Sequence, residues 1–351
     1  MICDALPRRR LVHLPTPLEA APILSRALGI ELLVKREDLA GLCVGGIKSR
    51  LLEFAIGALQ GRGIDTLIAY AAVQSNKLRD IAAASARCGM KAVLLIPEGR
   101  GADGPVRQGN RLLFDILGAE VRVIAGNPDA AAIMAAQESV RDALAREGRR
   151  AAILDRRLEY GIDATIAFVD AAEELCVQLR DAGKSPHSLF VAAGAGMTAA
   201  GLALGLKHLG SPMRVVGVSV SARAAELGPE IERHAARAAA RLGIPTRLHA
   251  GDVTLIDRHA ATGYGTLTPA LVAVMRRFAR LHGMVVDPVY NAKVALALVE
   301  EVGRGTVPAG AGGVFMNTGG SPAIYDYADM LCAVPDAGDA QRYGAAAAGA
   351  R

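Results

Sequence analysis

Tryptophan is absent from this 351-residue sequence, and seven tyrosines and six phenylalanines are all the large rings it has. So sparse an aromatic complement offers no stacking platform for single-stranded nucleic acid, and the formal charge of +5 is spread along the chain. Cysteine is as thin. Cys3, Cys43, Cys88, Cys176 and Cys332 are odd in number and isolated, with no CxxC pair, which excludes a disulfide framework and a structural zinc site and implies a reducing cytoplasm. The opening MICDALPRRR lacks an apolar core of signal-peptide length, so secretion is not expected. Strongly hydrophobic runs are missing too: residues 188–206 carry no charge, but their glycines and alanines make them a buried strand, a glycine turn and a helix rather than a membrane span. No repeat period appears, and over 335–351 the apolar periodicity stops, as in a disordered tail.

What the sequence has in quantity is apolar residues, 52% of the chain, enough for two medium domains of a soluble protein. Short β-rich runs at 68–73, 92–97, 121–124, 189–193, 215–220 and 313–317 alternate with helical patterns at about 75–89, 107–118, 128–147, 162–182, 197–209, 221–242, 267–282 and 291–304. Strands apolar on both faces and parted by helices predict mostly parallel sheets covered on both sides, an α/β fold. Ligand sites in such sheets collect beyond the carboxyl ends of strands. Three junctions fit that position: VQSNK (73–77), AAGAGMT (192–198) and MNTGGS (316–321).

Residues 45–50 read GGIKSR, placing a lysine at the start of a helix, where the macrodipole disfavours it. Glycines beside an amine leave room for a planar ligand. AGAGMT (193–198) can wrap backbone N–H groups around an anion at a helix start, although it is neither a Walker loop nor a full GxGxxG fingerprint. Amine and anion cradle together suit an aldehyde that carries a phosphate. Taken singly, the lysine also reads as a solvated surface residue and the turn as a plain tight connection.

These segments also fall into an order. PTPL (15–18), VKREDL (34–39), GGIKSRLLEF (45–54), VQSNKLRDIAAASARCGM (73–90), LFVAAGAGMTAAGLALGLK (189–207), GYGTLTP (263–269), DPVYNAKVALAL (287–298) and NTGGSPAIYDY (317–327) resemble the pyridoxal-phosphate enzymes of the 1-aminocyclopropane-1-carboxylate deaminase and D-cysteine desulfhydrase family, from about residue 11 to about 331. The resemblance implies the tryptophan synthase β-like fold (fold type II), with two three-layer α/β/α domains. The larger, cofactor-binding one takes 1–51 plus 161–334, and the smaller is inserted at 52–160. It implies pyridoxal 5′-phosphate as cofactor, and Lys48 as the lysine that holds the aldehyde and then moves protons at Cα. Asn76 matches the contact to the cofactor's ring oxygen, Gly194, Ala195, Gly196, Met197 and Thr198 the phosphate cradle, Thr318 and Asn291 the pyridine edge. Tyr290 matches a ring packed on the cofactor and Tyr264 a second tyrosine facing the substrate. Ser75, with Gln74 and Asn76, matches the substrate and its carboxylate. Helix capping by Ser75 and Asn76, and core packing of the tyrosines, are the structural alternatives.

The sequence departs from that pattern in three places. Ile47 stands where the family has asparagine. Asn291 stands where the deaminases have glutamate and the desulfhydrases threonine; an amide bonded to the pyridine nitrogen adds no charge, which favours loss of a β-leaving group over ring opening. ILDRRLEYG (153–161) replaces a Pro-x-Gly-Gly-Ser turn. Arg156 and Arg157, with Tyr160 beside them, read either as a clamp for an anionic substrate side chain or as a solvated charged turn. The expected activity is α,β-elimination and deamination of a small amino acid, D-cysteine-like or L-cysteate-like, to a 2-oxo acid and ammonia. The expected setting is a cytoplasmic homodimer with no metal, nucleic-acid or membrane partner. Ring-opening deamination, β-replacement and a binding protein that keeps the cofactor fold without turnover are the competing readings.

Overall fold

The computed structural model describes residues 2–99, 101–102, 107–126, 128–308 and 310–335, so the tail after Pro335 lies outside the described residues. In chain order the strands are β1 (Leu18–Ala20), β2 (Glu31–Arg36), β3 (Thr66–Tyr70), β4 (Lys91–Pro97), β5 (Glu120–Ile124), β6 (Ala151–Ile153), β7 (Ser188–Ala193), β8 (Arg214–Ser219), β9 (Val253–Ile256) and β10 (Gly312–Asn317). The helices are α1 (Pro22–Leu28), α2 (Ile47–Gln60), α3 (Asn76–Arg87), α4 (Gly109–Ile116), α5 (Ala130–Arg146), α6 (Glu159–Asp181), α7 (Met197–His208), α8 (Ala224–Leu242), α9 (Pro269–His282), α10 (Asn291–Gly303) and α11 (Ala328–Ala333).

Two sheets result. One has six strands in the order β1-β2-β10-β7-β8-β9, parallel except for β1, which runs antiparallel to β2. The other has four, β5-β4-β3-β6, all parallel. The six apolar runs became β3, β4, β5, β7, β8 and β10 because helices cover both faces; β7 is buried along its whole length. Residues 188–206 form β7, a glycine turn and most of α7, and among the described residues no helix is long and apolar enough to cross a membrane. Strands β1, β6 and β9, of three, three and four residues, are too short to leave a periodic trace.

A buried ionic network fixes α2, the helix that carries Lys48. The Arg50 guanidinium donates to Glu37 at 2.8 and 2.9 Å and to Glu174 at 3.1 Å. Lys35 Nζ donates to Glu174 at 2.5 Å and to Gln178 at 2.7 Å, and Thr16 Oγ1 donates to Glu37 at 2.6 Å. Burial raises the Glu174 pKa, but Arg50 and Lys35 outweigh it and hold the carboxyl at about 2. Charges this deep persist because each is paired and hydrogen-bonded; removing one partner costs about 3–5 kcal/mol. The PTPL and VKREDL segments contribute Thr16, Lys35 and Glu37 to this network, so their part is to hold α2 in place.

Candidate active site

A cavity of about 560 Å³ lies over the carboxyl ends of β3, β6, β7 and β10 and takes its walls from both sheets. The chain enters α2 through Gly45 and Gly46. Gly45 has φ of 75°, and a Cβ there would stand 1.9 Å from the Asp38 carbonyl oxygen. A Cβ on Gly46 would meet the Thr318 carbonyl at 3.2 Å, and the Ile47 amide donates to that same oxygen. The glycine pair is therefore required by chain segments crossing beneath it. Gly46 also lines the cavity beside Lys48, so that part of the wall carries no side chain. Lys48 follows in the first turn and turns its amine into the cavity. Burial lowers its pKa to about 8, against the opposing pull of the Asp80 carboxylate.

The turn between β7 and α7 brings Gly194, Ala195, Gly196, Met197 and Thr198 to the cavity wall. Gly196 is the N-cap of α7 in the left-handed region, φ 85°, and no side chain caps the helix. A Cβ there would press to 2.9 Å from Ile231 Cγ1. The first amides of α7 thus face the cavity as anion donors.

At the third junction Ser75 is the N-cap of α3: its Oγ accepts from the Leu78 amide at 3.3 Å while the residue lines the cavity. Capping and a site position coincide there. Asn76 Oδ1 accepts from Arg79 Nη1 at 2.9 Å and Asn110 Nδ2 at 2.8 Å, which fixes the amide with its Nδ2 donors unpartnered among the described residues. Gln74 does not line the cavity. Its Oε1 accepts from the Asn110 amide at 2.8 Å and its Nε2 donates to the Gln108 carbonyl at 3.1 Å, so the expected substrate contact is replaced by a brace to α4.

Tyr290 lies against the β7–α7 turn, its Cε1 3.6 Å from where a Cβ on Gly194 would be. Its hydroxyl bonds that of Tyr264 at 2.8 Å, with the rings edge to face; Tyr264 is half exposed at the mouth. Thr318 lines the wall, whereas Asn291 is fully buried behind it. Asn291 Nδ2 donates to Asp287 Oδ1 at 2.6 Å and the Gly319 carbonyl at 2.8 Å, and its Oδ1 accepts from the Thr318 amide at 3.0 Å and hydroxyl at 3.1 Å. With every donor and acceptor of the amide engaged, the expected direct bond from Asn291 to a cofactor nitrogen is corrected: Asn291 orients Thr318. Asp287, which opens the DPVYNAKVALAL segment but was not among the expected site residues, also receives the amides of Val289, Tyr290 and Asn291. Its signal was a carboxylate just ahead of a helix, the ordinary N-cap pattern.

The divergent loop after β6 also reaches the cavity. Asp155, Arg156, Arg157 and Tyr160 all line it. Arg157 is held bidentately by Asp155 at 2.8 and 2.9 Å, which removes it from the expected two-arginine clamp. Arg156 forms no ion pair among the described residues. Lys77, another residue without a sequence signal of its own, lines the cavity and donates to the Tyr70 carbonyl at 2.9 Å.

The sequence profile of the pyridoxal-phosphate dependent enzymes matches residues 10–319. The chain belongs to this family. Similar members include D-cysteine desulfhydrases of Salmonella paratyphi B, 33% identical, and Klebsiella pneumoniae, 34% identical, each over 92% of this chain and 96% of the relative. The crystal structure of an ACC deaminase homologue superposes with a TM-score of 0.86 at 30% identity, covering 95% of this chain and 98% of that one. An aspartate racemase that depends on pyridoxal 5′-phosphate, at 18% identity and a TM-score of 0.62, shares the fold.

The residues present fit the cofactor of this pyridoxal-phosphate family. The uncapped amides at Gly196 suit its phosphate, the free Nδ2 of Asn76 suits its ring oxygen, and the half-buried amine of Lys48 suits its aldehyde. Among the described residues no three His, Cys, Asp or Glu side chains gather where they could hold a metal ion.

Proposed function

We propose that this pyridoxal-phosphate enzyme eliminates the β-substituent of a small amino acid and releases a 2-oxo acid and ammonia. The observation that carries the reading is a lysine amine of lowered pKa facing the same cavity as an uncapped helix start and the free amide donors of Asn76. The kinship with D-cysteine desulfhydrases over 92% of the chain supports elimination as the reaction type. Lys48, Asn76, Thr318 and the amides of 194–198 would hold the cofactor, which supplies an electron sink for negative charge at Cα.

The chain's own residues divide the remaining work. The amino end of α3 and the Ser75 hydroxyl bind the substrate carboxylate. Lys48 Nζ takes the proton from Cα, a task suited to an amine whose pKa lies near 8. Tyr290 and Tyr264, joined hydroxyl to hydroxyl, would pass a proton to the departing β-substituent. Asn291 sets the direction of Thr318 without bringing a charge into the cavity wall, which supports elimination over ring opening. A D-cysteine-like substrate follows the relatives, and an L-cysteate-like one is favoured by Arg156 at the rim.

As part of the same reading, 1–51 plus 161–334 form the larger domain and 52–160 the smaller, in keeping with β3 to β6 making a sheet of their own. The enzyme is expected to work in the cytoplasm as a homodimer. Release of 2-oxo acid and ammonia by the cofactor-loaded protein, from a panel of D-cysteine, L-cysteine, L-cysteate, D-serine, β-chloro-D-alanine and 1-aminocyclopropane-1-carboxylate with Lys48→Ala as blank, tests the proposal. Release from none of them would overturn elimination.

A further inference from the structure

Among the described residues five basic side chains line the cavity, Lys48, Lys77, Arg79, Arg156 and Arg157, against a single carboxylate, Asp155. Most of them are committed. Lys48 has the role proposed above. Arg79 is buried and bonded to Asp80, Asn76, Asn110 and the Gly45 carbonyl. Arg157 and Asp155 hold each other. Glu230, a carboxylate within electrostatic reach of Arg156, is taken by Arg233. His234 nearby is kept neutral by burial, its pKa lowered to about 4, and adds no charge.

Lys77 and Arg156 are left, and neither has an ion pair among the described residues. Lys77 lies in the first turn of α3, and Arg156 in the loop between β6 and α6. Lys77 Nζ donates one bond to Tyr70, the last residue of β3, and keeps two N–H groups free; Arg156 follows β6, which pairs with β3. Burial lowers the Lys77 pKa to about 8, with Asp155 opposing and Lys48 and Arg156 adding to the fall, which places these groups in one electrostatic neighbourhood. Tyr160, in the first turn of α6, completes the corner. It lines the cavity at 4% exposure, and its buried hydroxyl has no hydrogen-bond partner. A buried hydroxyl without a partner is destabilising unless a ligand satisfies it.

We propose that Lys77, Arg156 and Tyr160 form a subsite for a second negative charge on the substrate, an oxyanion carried by its β-substituent. The three side chains present donors from three different elements, an arrangement that serves an anionic oxygen cluster such as a sulfonate and gives a neutral thiol little to bond. Because Lys77 is in that first turn of α3, the subsite adjoins the place proposed for the substrate carboxylate, as a second charge on one small substrate requires, and it is built from side chains rather than from the α7 amides that suit the cofactor phosphate. That its ligand is a substrate rests on the elimination reading above; anion recognition does not.

The test is titration calorimetry on the cofactor-loaded enzyme with 3-sulfopropanoate, which has a carboxylate and a sulfonate but no amine to react, against propanoate. The sulfonate is expected to bind at least about tenfold tighter, the effect of one charge-assisted contact set. Lys77→Gln should abolish most of that preference, and Arg156→Gln and Tyr160→Phe should each reduce it several-fold. Arg156 is exposed at the rim, so its variant keeps the test sound if Lys77→Gln does not fold. Equal binding of the two probes, or a preference that survives all three substitutions, overturns the subsite. Tight sulfonate binding without turnover of any amino acid supports the subsite and refutes elimination; turnover of D-cysteine with equal probe binding does the reverse.

Discussion

Two strand-to-helix junctions of one cavity are built from opposite materials. Between β7 and α7, residues 194–196 are Gly-Ala-Gly, and the functional groups are backbone amides at an uncapped helix start. Between β6 and α6, residues 154–158 carry a carboxylate and two guanidiniums, and Tyr160 follows in the helix. Backbone amides cannot be exchanged by point substitution, so the first junction suits a ligand that stays the same, a phosphate. Side chains can be replaced one at a time, so the second suits a ligand that differs between enzymes, the substrate's β-substituent. The division explains why the first junction follows the family pattern and the second departs from it.

The largest expected effect lies at the group both junctions serve. Lys48→Ala should lower kcat by about 10²–10⁴-fold, the usual range for loss of a positioned acid–base group. A variant that kept wild-type turnover would leave the two junctions without a common centre. Gly196→Val should come next. It forces a β-branched residue into the left-handed region, at a cost of about 1–2 kcal/mol, and drives the added Cβ to within 2.9 Å of Ile231 Cγ1. Cofactor affinity, titrated by absorbance into the apo protein, should fall about tenfold or more; unchanged affinity would remove the cradle from this turn. The pH dependence sharpens the same side of the comparison. Burial lowers the Lys48 pKa to about 8, so the free amine that captures the aldehyde grows as pH rises through 8 and then levels. Capture by the apo protein at pH 7 should therefore run about tenfold below its alkaline plateau. A rate still climbing at pH 10 would mean an ordinary exposed lysine.

Where the sequence was legible, a single element carried its own signal. The long apolar strands and the helices between them were readable because burial on both faces erases polar alternation. AGAGMT and Lys48 were readable because helix stability alone selects neither a glycine-rich entry nor a lysine in the first turn. Asn291 shows the limit. Its position in the motif suggested contact with the cofactor, but four hydrogen bonds to Asp287, Gly319 and Thr318 place it behind the wall. Gln74 was misjudged for the same reason: its partners, Gln108 and Asn110, are some 34–36 residues away. Lys77 and the empty valence of Tyr160 acquire meaning only when β3 and β6 are seen side by side. Which member of a polar cluster is already satisfied is a property of the packed structure, and no local pattern reports it.

The smallest expected effect separates two neighbours that the sequence presents as equals. Arg157 is exposed and bound in both its Asp155 contacts, so Arg157→Ala should change KM for an anionic substrate by less than about twofold, as expected for a solvated pair. Arg156 has no such partner, and Arg156→Ala should raise the same KM by about tenfold, with kcat nearly unchanged because the contact is equally present before and during reaction. If Arg157→Ala has the larger effect, Arg157 must exchange its hold on Asp155 for the substrate, and the loop would act by opening an ion pair. If both substitutions are silent, the loop is a charged rim, and the contrast between the two junctions would reduce to one binding site and one surface turn.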